Sequence, residues 1–279
     1  MLLVRVQTLQ PPLRGEYLLS DFTLITHHFP AREDIRIYAI SDVHFGAEEH
    51  KRKEWEQFCR RIADEPNSRV VLGGDLVNNG VKNSLTNCYT ETHRPREQKR
   101  IITEMLEPLA PKIICVTGGN HESRNRREVD NDITYDICCK LNIEDLYREN
   151  ICFVKIQMGE KGRQRNGSQN PTYVLAVTHG SGGGMLGSVA NRNERFALCL
   201  DGIDALIVGH SHRPYTSQSA KIKVDPHNNN VLLRQFKVIS MTSWMDWGGY
   251  AAAKMLTPTG FAPQTMTLCG THKEIRVEM

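Results

Sequence analysis

The sequence predicts an α/β fold, two packed β-sheets flanked by helices, with residues 1–279 forming one domain. Two observations carry that prediction. Five short apolar runs, rich in β-branched residues and bounded by glycine, read as strands buried on both faces. In the first half of the chain, stretches of helical periodicity separate these runs, which is the alternation of an α/β core. Each run also ends on residues able to bind a metal ion. In open α/β sheets the ligand sits beyond the carboxyl ends of the strands.

Residues 1–34 read as a leading pair of strands, in which His27 and His28 are packing or surface residues. The first run, Ile35 to Ile40, leads into Ser41-Asp42-Val43-His44. Trp55, Phe58, Cys59, Ile62 and Ala63 then recur at helical spacing. They form the buried stripe of a helix over 49–64, with Lys51, Arg52, Lys53 and Arg60 facing water. The second run, Val70-Val71-Leu72, ends at Gly73-Gly74-Asp75. Pro95 suits a first helical position. Ile101, Ile102, Met105, Leu106 and Leu109 mark the buried face of that helix, and Pro111 stops it. The third run, Ile113 to Val116, ends at Gly118-Gly119-Asn120-His121-Glu122. A helix over 130–141 follows, with Ile133, Ile137, Cys138 and Leu141 inward.

The second half is richer in strands. The polar segment 159–171 reads as a hairpin loop. The fourth run, Tyr173 to Val177, ends at Thr178-His179-Gly180, and the fifth, Ala205 to Val208, at Gly209-His210-Ser211-His212. Segment 213–230 reads as a longer polar excursion, and 231–241 and 265–277 as further strands. The ligand-bearing rim then lies where the two sheets meet.

Apolar content of 39% and charged content of 24% fit a soluble globular chain. A net charge of +3 neither requires nor excludes a polyanionic partner. No apolar stretch has the length needed to span a bilayer. The first residues, Met1-Leu2-Leu3-Val4-Arg5, are too soon charged for a signal peptide. The eight cysteines are scattered, with no Cys-x-x-Cys, which argues against a structural zinc site and a dense disulfide framework. They read as reduced, mostly core thiols of a cytoplasmic protein.

Asp42 and His44, two residues apart, project to the same side of an extended segment and can hold one ion together. His210 and His212 repeat the device. Asp75 can bridge two ions through its two oxygens, Asn120 offers an amide oxygen, and His179 offers a further imidazole. Charged groups are seldom buried without partners, so these side chains at strand ends need a metal to make sense. Mixed nitrogen and oxygen donors suit Mn, with Fe, Zn, Ni or Mg as alternatives, better than Ca. Two ions about 3.5–4 Å apart clamp the attacking and leaving oxygens of a phosphoryl displacement, with a bridging hydroxide as nucleophile. His121, beside a ligand, can give a proton to the leaving oxygen.

Taken in order, Asp42-x-His44, Gly74-Asp75, Gly119-Asn120-His121-Glu122, His179 and Gly209-His210-x-His212 resemble the five motifs of the calcineurin-like metallophosphoesterase superfamily. The resemblance spans residues 42–212 and implies a four-layer sandwich, helices outside two mixed β-sheets. It assigns Asp42, His44, Asp75 and His212 to one divalent ion, and Asp75, Asn120, His179 and His210 to the other. His121, with Asn120 beside it, is the catalytic residue near the leaving group. The Gly-Asn-His-Glu-Ser-Arg block also resembles Ser/Thr protein phosphatases. Asn78 and Asn79, however, stand where those enzymes carry an orienting Asp and a phosphate-gripping Arg. The insert over 81–96 and the glycine-rich stretch after His179 resemble phosphoesterases of tailed phages, which would make the compartment a host cytoplasm.

The resemblance implies a phosphoester substrate, with a phosphoprotein, nucleotide or nucleic acid as the classes; the lack of a long apolar stretch predicts no membrane partner, and no obligate protein partner is inferred. A phosphomonoesterase is the favoured reading and a phosphodiesterase or nuclease the alternative. A catalytically silent scaffold would show a broken ligand, and none is broken. Arg124, Arg192 and Arg195 are the candidates to replace the missing arginine. Gly182-Gly183-Gly184 is either a phosphate-approaching backbone or a connector. Trp244 and Trp247 read as core rather than cleft walls. The basic clusters at 51–53, 94–100 and 124–127 read as solvated faces rather than a nucleic-acid track. His50, His93, His227 and His272 lie outside the motifs and read as structural.

Overall fold

The computed structural model describes residues 19, 21–82, 84, 88–160, 170–182, 187–253 and 255–279. From the N-terminus, β1 (Leu24–Phe29) and β2 (Ile35–Ile40) precede α1 (Arg52–Asp64) and β3 (Ser68–Leu72). Then come α2 (Pro95–Leu106), β4 (Ile113–Thr117), α3 (Ser123–Val129), α4 (Ile133–Lys140) and the short β5 (Tyr147–Arg148). The second half brings β6 (Ile151–Met158), β7 (Thr172–Thr178), α5 (Gly187–Cys199) and β8 (Ala205–Val208). It closes with β9 (Tyr215–Asp225), β10 (Asn230–Ser240), α6 (Gly249–Ala253), β11 (Thr265–Leu268) and β12 (Ile275–Glu278).

These strands form two six-stranded mixed sheets, ordered β12-β11-β2-β3-β4-β5 and β1-β6-β7-β8-β10-β9. In the first, β2, β3, β4 and β5 run parallel, and in the second, β7, β8 and β10 do. Alternation along each strand explains the layering. Ile37, Ala39 and Val71 of the first sheet meet Val154, Leu175, Ile207 and Ile239 of the second in one dry inter-sheet core. The opposite residues of the first sheet, Tyr38, Ile40, Val70 and Leu72, pack on Trp55, Phe58 and Ile62 of α1 and Ile102 and Leu106 of α2. On the far side, Ala176, Leu206 and Val238 pack with Ala197 of α5. The result is the predicted four-layer sandwich, helices outside two mixed sheets.

Several sequence expectations change in detail. The helix expected over 49–64 starts at Arg52, because Lys51 is held outside it by a backbone bond to Trp244 O. The helix expected over 130–141 is Ile133–Lys140, its first turn capped by Asp132, which accepts from Tyr135 N. Segment 213–230 is not a loop: β9 pairs with β10 along an eleven-residue antiparallel hairpin. Its polar composition misled because it lies at a sheet edge facing water. The strand expected over 265–277 is two strands, β11 and β12, folded back on each other. The basic cluster at 124–127 lies on a helix, α3, as a solvated helix face would, whereas most of the stretch over 180–195, read from sequence as a loop, belongs to α5. The leading strand of the pair expected in 1–34, Gly183-Gly184 and the tip of the 159–171 hairpin lie outside the described residues, although β6 and β7 do pair antiparallel. No helix among the described residues is long and apolar enough to cross a membrane.

Bland readings of several residues hold. His27 and His28 bond to the carbonyls of Ile114 and Gly159. Trp244 is buried against Trp55, Phe58 and Phe261, as expected, but Trp247, also expected in the core, is exposed, its indole N–H donating to Leu256 O at the surface. Basic residues of the charged clusters are paired: Lys51 with Asp246, Arg100 with Glu104, Arg126 with Glu149. His50 is structural too, yet well placed: its Nδ1 lies 2.8 Å from the carbonyl of Val43, between Asp42 and His44.

Burial lowers the His50 pKa from 6.5 to about 4. The native state therefore binds this proton less readily than the unfolded chain. Its contribution to stability is complete above the unfolded value of 6.5 and is lost as pH falls toward about 4. The full shift corresponds to about 3 kcal/mol. In His50→Asn, whose amide can still donate to Val43 O, the loss of stability between neutral and mildly acid pH should be shallower than in the wild type. Urea denaturation across that range measures it, and parallel profiles for the two proteins would refute it.

Candidate metal centre

The segment Ser41 to Phe45 leaves β2 and runs beside the segment that leaves β3. Asp42 N donates to Gly74 O, His44 N to Asp75 O and Phe45 N to Leu76 O, each at 3.0 Å. The parallel pairing of the strands thus continues into the loops. Asp42 and His44 were expected to share a side through extended geometry. Instead both adopt left-handed backbone, φ 53° and 47°. Asp75 (51°), His210 (66°) and His212 (55°) do the same. Such a conformation costs a residue with a Cβ about 1–2 kcal/mol, and the inter-loop hydrogen bonds hold it in place.

Two glycines permit the approach of the β3 and β4 loops. A Cβ on Gly119 would stand 2.1 Å from Asp75 N and 2.2 Å from Asp75 Oδ1. Gly74, at φ +83°, would clash with the backbone of Gly119. With both bare, Asp75 Oδ1 accepts from His121 N at 2.8 Å. Glu122 completes the junction. Its buried carboxylate accepts from the backbone N–H groups of Asp75 (3.1 Å), Leu76 (2.6 Å) and Val77 (3.1 Å). Burial and the neighbouring Asp75 raise its pKa to about 7.

All seven expected ligand side chains converge. Asp42 Oδ1 is 3.2 Å from His212 Nε2 and 3.8 Å from His44 Nε2, and those two imidazole nitrogens are 3.1 Å apart. On the other side, Asn120 Oδ1 lies 2.7 Å from His210 Nδ1 and 2.8 Å from His179 Nε2. Asp75 Oδ2 stands between the two groups, 3.2 Å from His179 Nε2 and 3.8 Å from His44 Nε2. Candidate metal-holding clusters are therefore Asp42, His44 and His212, and Asp75, His179 and His210. His121 joins His44 and Asp75 in a further cluster of the same kind.

The donor set fits divalent cations. His179 Nδ1 lies 2.7 Å from Gly73 O, which places one ring proton there and turns Nε2 inward. Nε2 faces a carboxylate oxygen and an amide oxygen, a cluster of acceptors that favours positive charge among them, either a proton on Nε2 or a metal ion in its place. Asp42 Oδ1 is fully buried and accepts no hydrogen bond. The electrostatics agree. Burial opposes charge on His179, but Asp75 and then Asp42 outweigh it and push its pKa up to about 10. Burial would raise both carboxylates, yet the imidazoles around them, led by His212 for Asp42 and His179 for Asp75, hold them well below the usual range.

His121 Nδ1 lies 2.7 Å from Asn78 O. That contact fixes the tautomer and turns Nε2 toward the centre, 3.9 Å from Asp75 Oδ2. A backbone carbonyl thus does the orienting that a carboxylate would have done had position 78 been Asp. Burial lowers the His121 pKa to about 3, so the resting ring is neutral. Asn79 Nδ2 donates to His121 O and to Asn125 Oδ1. Arg124 donates to the carbonyls of Asn78 and Asn79, so its guanidinium braces the His121 support. A cleft of about 460 Å³ opens beside Asn120 and His179, lined also by Arg126, Arg192, Asn193 and Phe196. Arg192 donates to Gly182 O at its mouth.

Sequence reasoning missed Glu122, His50 and Ser41 as supports. Ser41 Oγ donates to Asp42 Oδ2 at 2.5 Å. For Ser41 and Glu122 the available signal was their position inside the ligand motifs; His50 lies outside them and carried none.

The calcineurin-like phosphoesterase family matches residues 35–214, more than half of the chain. No curated protein sequence matches it. Among solved structures, a conserved uncharacterized protein from Streptococcus pneumoniae, described as a predicted phosphoesterase, is 13% identical. That similarity covers 88% of this chain and 98% of that one, with a TM-score of 0.34. The NAD nucleotidase of Haemophilus influenzae is 9% identical over 88% of this chain and 49% of that one, with a TM-score of 0.37. This chain thus spans about half the length of the nucleotidase.

Replacing Glu122 with Gln puts an amide N–H₂ group where one of the carboxylate oxygens faced backbone N–H donors. Loss of those charge-assisted bonds should cost about 2–3 kcal/mol of stability. Metal affinity should fall as well, because the Asp75 loop loses its anchor. Thermal unfolding and metal titration check both, and a variant with wild-type values in each would show that Glu122 supports nothing.

Proposed function

The chain belongs to the calcineurin-like phosphoesterase family, and we propose that it is a dimetal hydrolase of phosphate esters with a preference for monoesters. The observation that supports this reading best is Asp75 Oδ2 between two donor clusters, within 3.2 Å of His179 and 3.8 Å of His44. In this proposal Asp42, His44, Asp75 and His212 hold one ion, and Asp75, Asn120, His179 and His210 the other. Manganese is the ion of this proposal, with Fe, Zn, Ni or Mg as alternatives, because mixed nitrogen and oxygen donors suit such ions better than calcium. Two such ions supply activation of water and neutralise charge on the phosphoryl group. Pairing of β11, near the C-terminus, onto β2 supports reading the whole chain as one domain.

The protein's own residues do the rest. His121 Nε2 is the proton-handling atom toward the leaving oxygen, held there by Asn78 O. Its neutral resting state means that it must be charged in the substrate complex, and the negative phosphate supplies the field that favours the imidazolium. Asn120 keeps its amide oxygen between His179 and His210, fixing both rings. The monoester preference rests on the Gly-Asn-His-Glu-Ser-Arg block. The cleft beside Asn120 and His179 favours a second reading, a phosphodiesterase, because it has room for a second ester substituent.

With Mn, Asp75→Asn or His210→Ala should abolish hydrolysis of an aryl phosphate, and full activity in either would sink the assignment. His121→Ala should keep its metals while kcat falls by about 10²–10⁴, most for poor leaving groups. An effect independent of the leaving group would rule out the acid role. Parallel assays of aryl monoester and bis-aryl diester with Mn, Ni, Zn and Mg decide between the two substrate classes.

A further inference from the structure

At the other end of the first sheet, the turn between β11 and β12 gathers a second set of donor atoms. Cys269 Sγ lies 3.2 Å from His272 Nδ1 and 3.3 Å from Thr271 Oγ1. Thr271 Oγ1 is 3.1 Å from the same imidazole nitrogen. Across the ring, His272 Nε2 is 3.2 Å from Glu274 Oε2. One ligand atom from each of Cys269, His272 and Glu274 lies within 4.8 Å of the others. We propose that this turn is a third cation site, taking a thiophilic divalent ion such as zinc on Cys269 Sγ and His272 Nδ1.

The chemistry of the donors supports it. Thiolate sulfur and imidazole nitrogen are the preferred protein ligands of zinc, with Zn–S about 2.3 Å and Zn–N about 2.0 Å. Tetrahedral ligands at those lengths stand about 3.5 Å apart, close to the spacing of Sγ, Oγ1 and Nδ1 here. Glu274 plays the part of the carboxylate behind a metal-bound histidine. It accepts the Nε2 proton, fixes the tautomer and leaves the Nδ1 lone pair facing Cys269. The Thr271 hydroxyl and water fill the remaining positions. Binding releases the Cys269 thiol proton to solvent, as zinc–thiolate formation requires.

The turn is also held in shape by groups that are not ligands. The buried Tyr173 hydroxyl accepts from Glu274 N at 3.0 Å and lies 2.7 and 2.8 Å from the carbonyls of Cys269 and His272. Cys269 N donates to Glu274 O, and Gly270 N donates to Asp34 Oδ1. Arg32 bonds to Thr271 O. An ion therefore need not order the loop in order to bind, which removes much of the entropic cost. The location separates this site from hydrolysis. Leu268 pairs with Ile35 at the start of β2, whereas Asp42 follows the end of that strand, roughly 20 Å away. Its role is a clip that closes the β11–β12 turn on itself, the turn being tied to the β1–β2 connection by Arg32 and Asp34. The sequence argument against structural zinc looked for Cys-x-x-Cys, and Cys269-x-x-His272 escapes it.

Cobalt(II) is the probe. The seven ligands proposed for the catalytic centre include no sulfur, so a thiolate-to-cobalt charge-transfer band reports this turn. Metal-free full-length protein titrated anaerobically with cobalt should develop that band. Cys269→Ser should lose it and His272→Ala should weaken it, while both keep aryl phosphate hydrolysis within about twofold. Zinc content should be about one equivalent lower in Cys269→Ser than in the wild type. The absence of the band in the wild type, or its survival in Cys269→Ser, would overturn the site and leave a hydrogen-bonded turn. If Cys269→Ser fails to fold, His272→Ala, altered at an exposed side chain, decides the same question. Absence of hydrolysis with the band present would refute the proposed activity and leave the clip intact.

Discussion

Everything at the rim of this protein depends on the Asp75 carboxylate, which is buried where an unpaired charge could not stay. A carboxylate out of water must be matched by cations and by hydrogen bonds. Here Oδ1 accepts from His121 N, while Oδ2 faces the imidazoles of His179 and His44. Three loops have to arrive together for that to happen. The approach leaves no room for a Cβ at Gly119, and it recruits Glu122, a second buried carboxylate, to hold the Asp75 loop by its backbone. Two carboxylates this close repel one another. Their coexistence is the electrostatic reason that positive charge is favoured at the centre.

The scaffold tolerates this arrangement because its strain is local and its support is broad. Left-handed backbone at Asp42, His44, Asp75, His210 and His212 aims short side chains inward from loops that follow straight strands. The cost is spread over hydrogen bonds that prolong the pairing of β2 with β3, and over two cores that clamp those strands from both faces. His50 and Ser41 add contacts to the Asp42–His44 segment without joining the donor set. The orientation of His121 follows the same economy. A main-chain carbonyl at Asn78 sets its tautomer, so the side chain at position 78 is released to bond Glu91.

Much of this was legible in the chain. Buried strands announced themselves by continuous apolar runs, because a strand covered on both faces cannot alternate. Helices α1 and α2 were visible in their stripes. Segments with mixed signals were not. The hairpin of β9 and β10 sits at an edge and reads as polar loop, and α5 carries Asn, Arg and Glu on a face that water covers. Where a segment is only half buried, composition weakens as a guide and tertiary pairing decides.

By itself, the sequence determined which side chains reach the rim and in what order, since strand ends and hydrophobic period are local properties. It determined the donor types as well, and with them the suitability for divalent ions. Only the tertiary structure decided how those donors divide around Asp75, that they arrive through left-handed turns rather than extended strands, and that Glu122 and the carbonyl of Asn78 hold them. Those features depend on contacts between segments some 45 residues apart, such as Leu76 N to Glu122 Oε1 and His121 Nδ1 to Asn78 O. No window along the chain contains both partners, so packing alone brings them together.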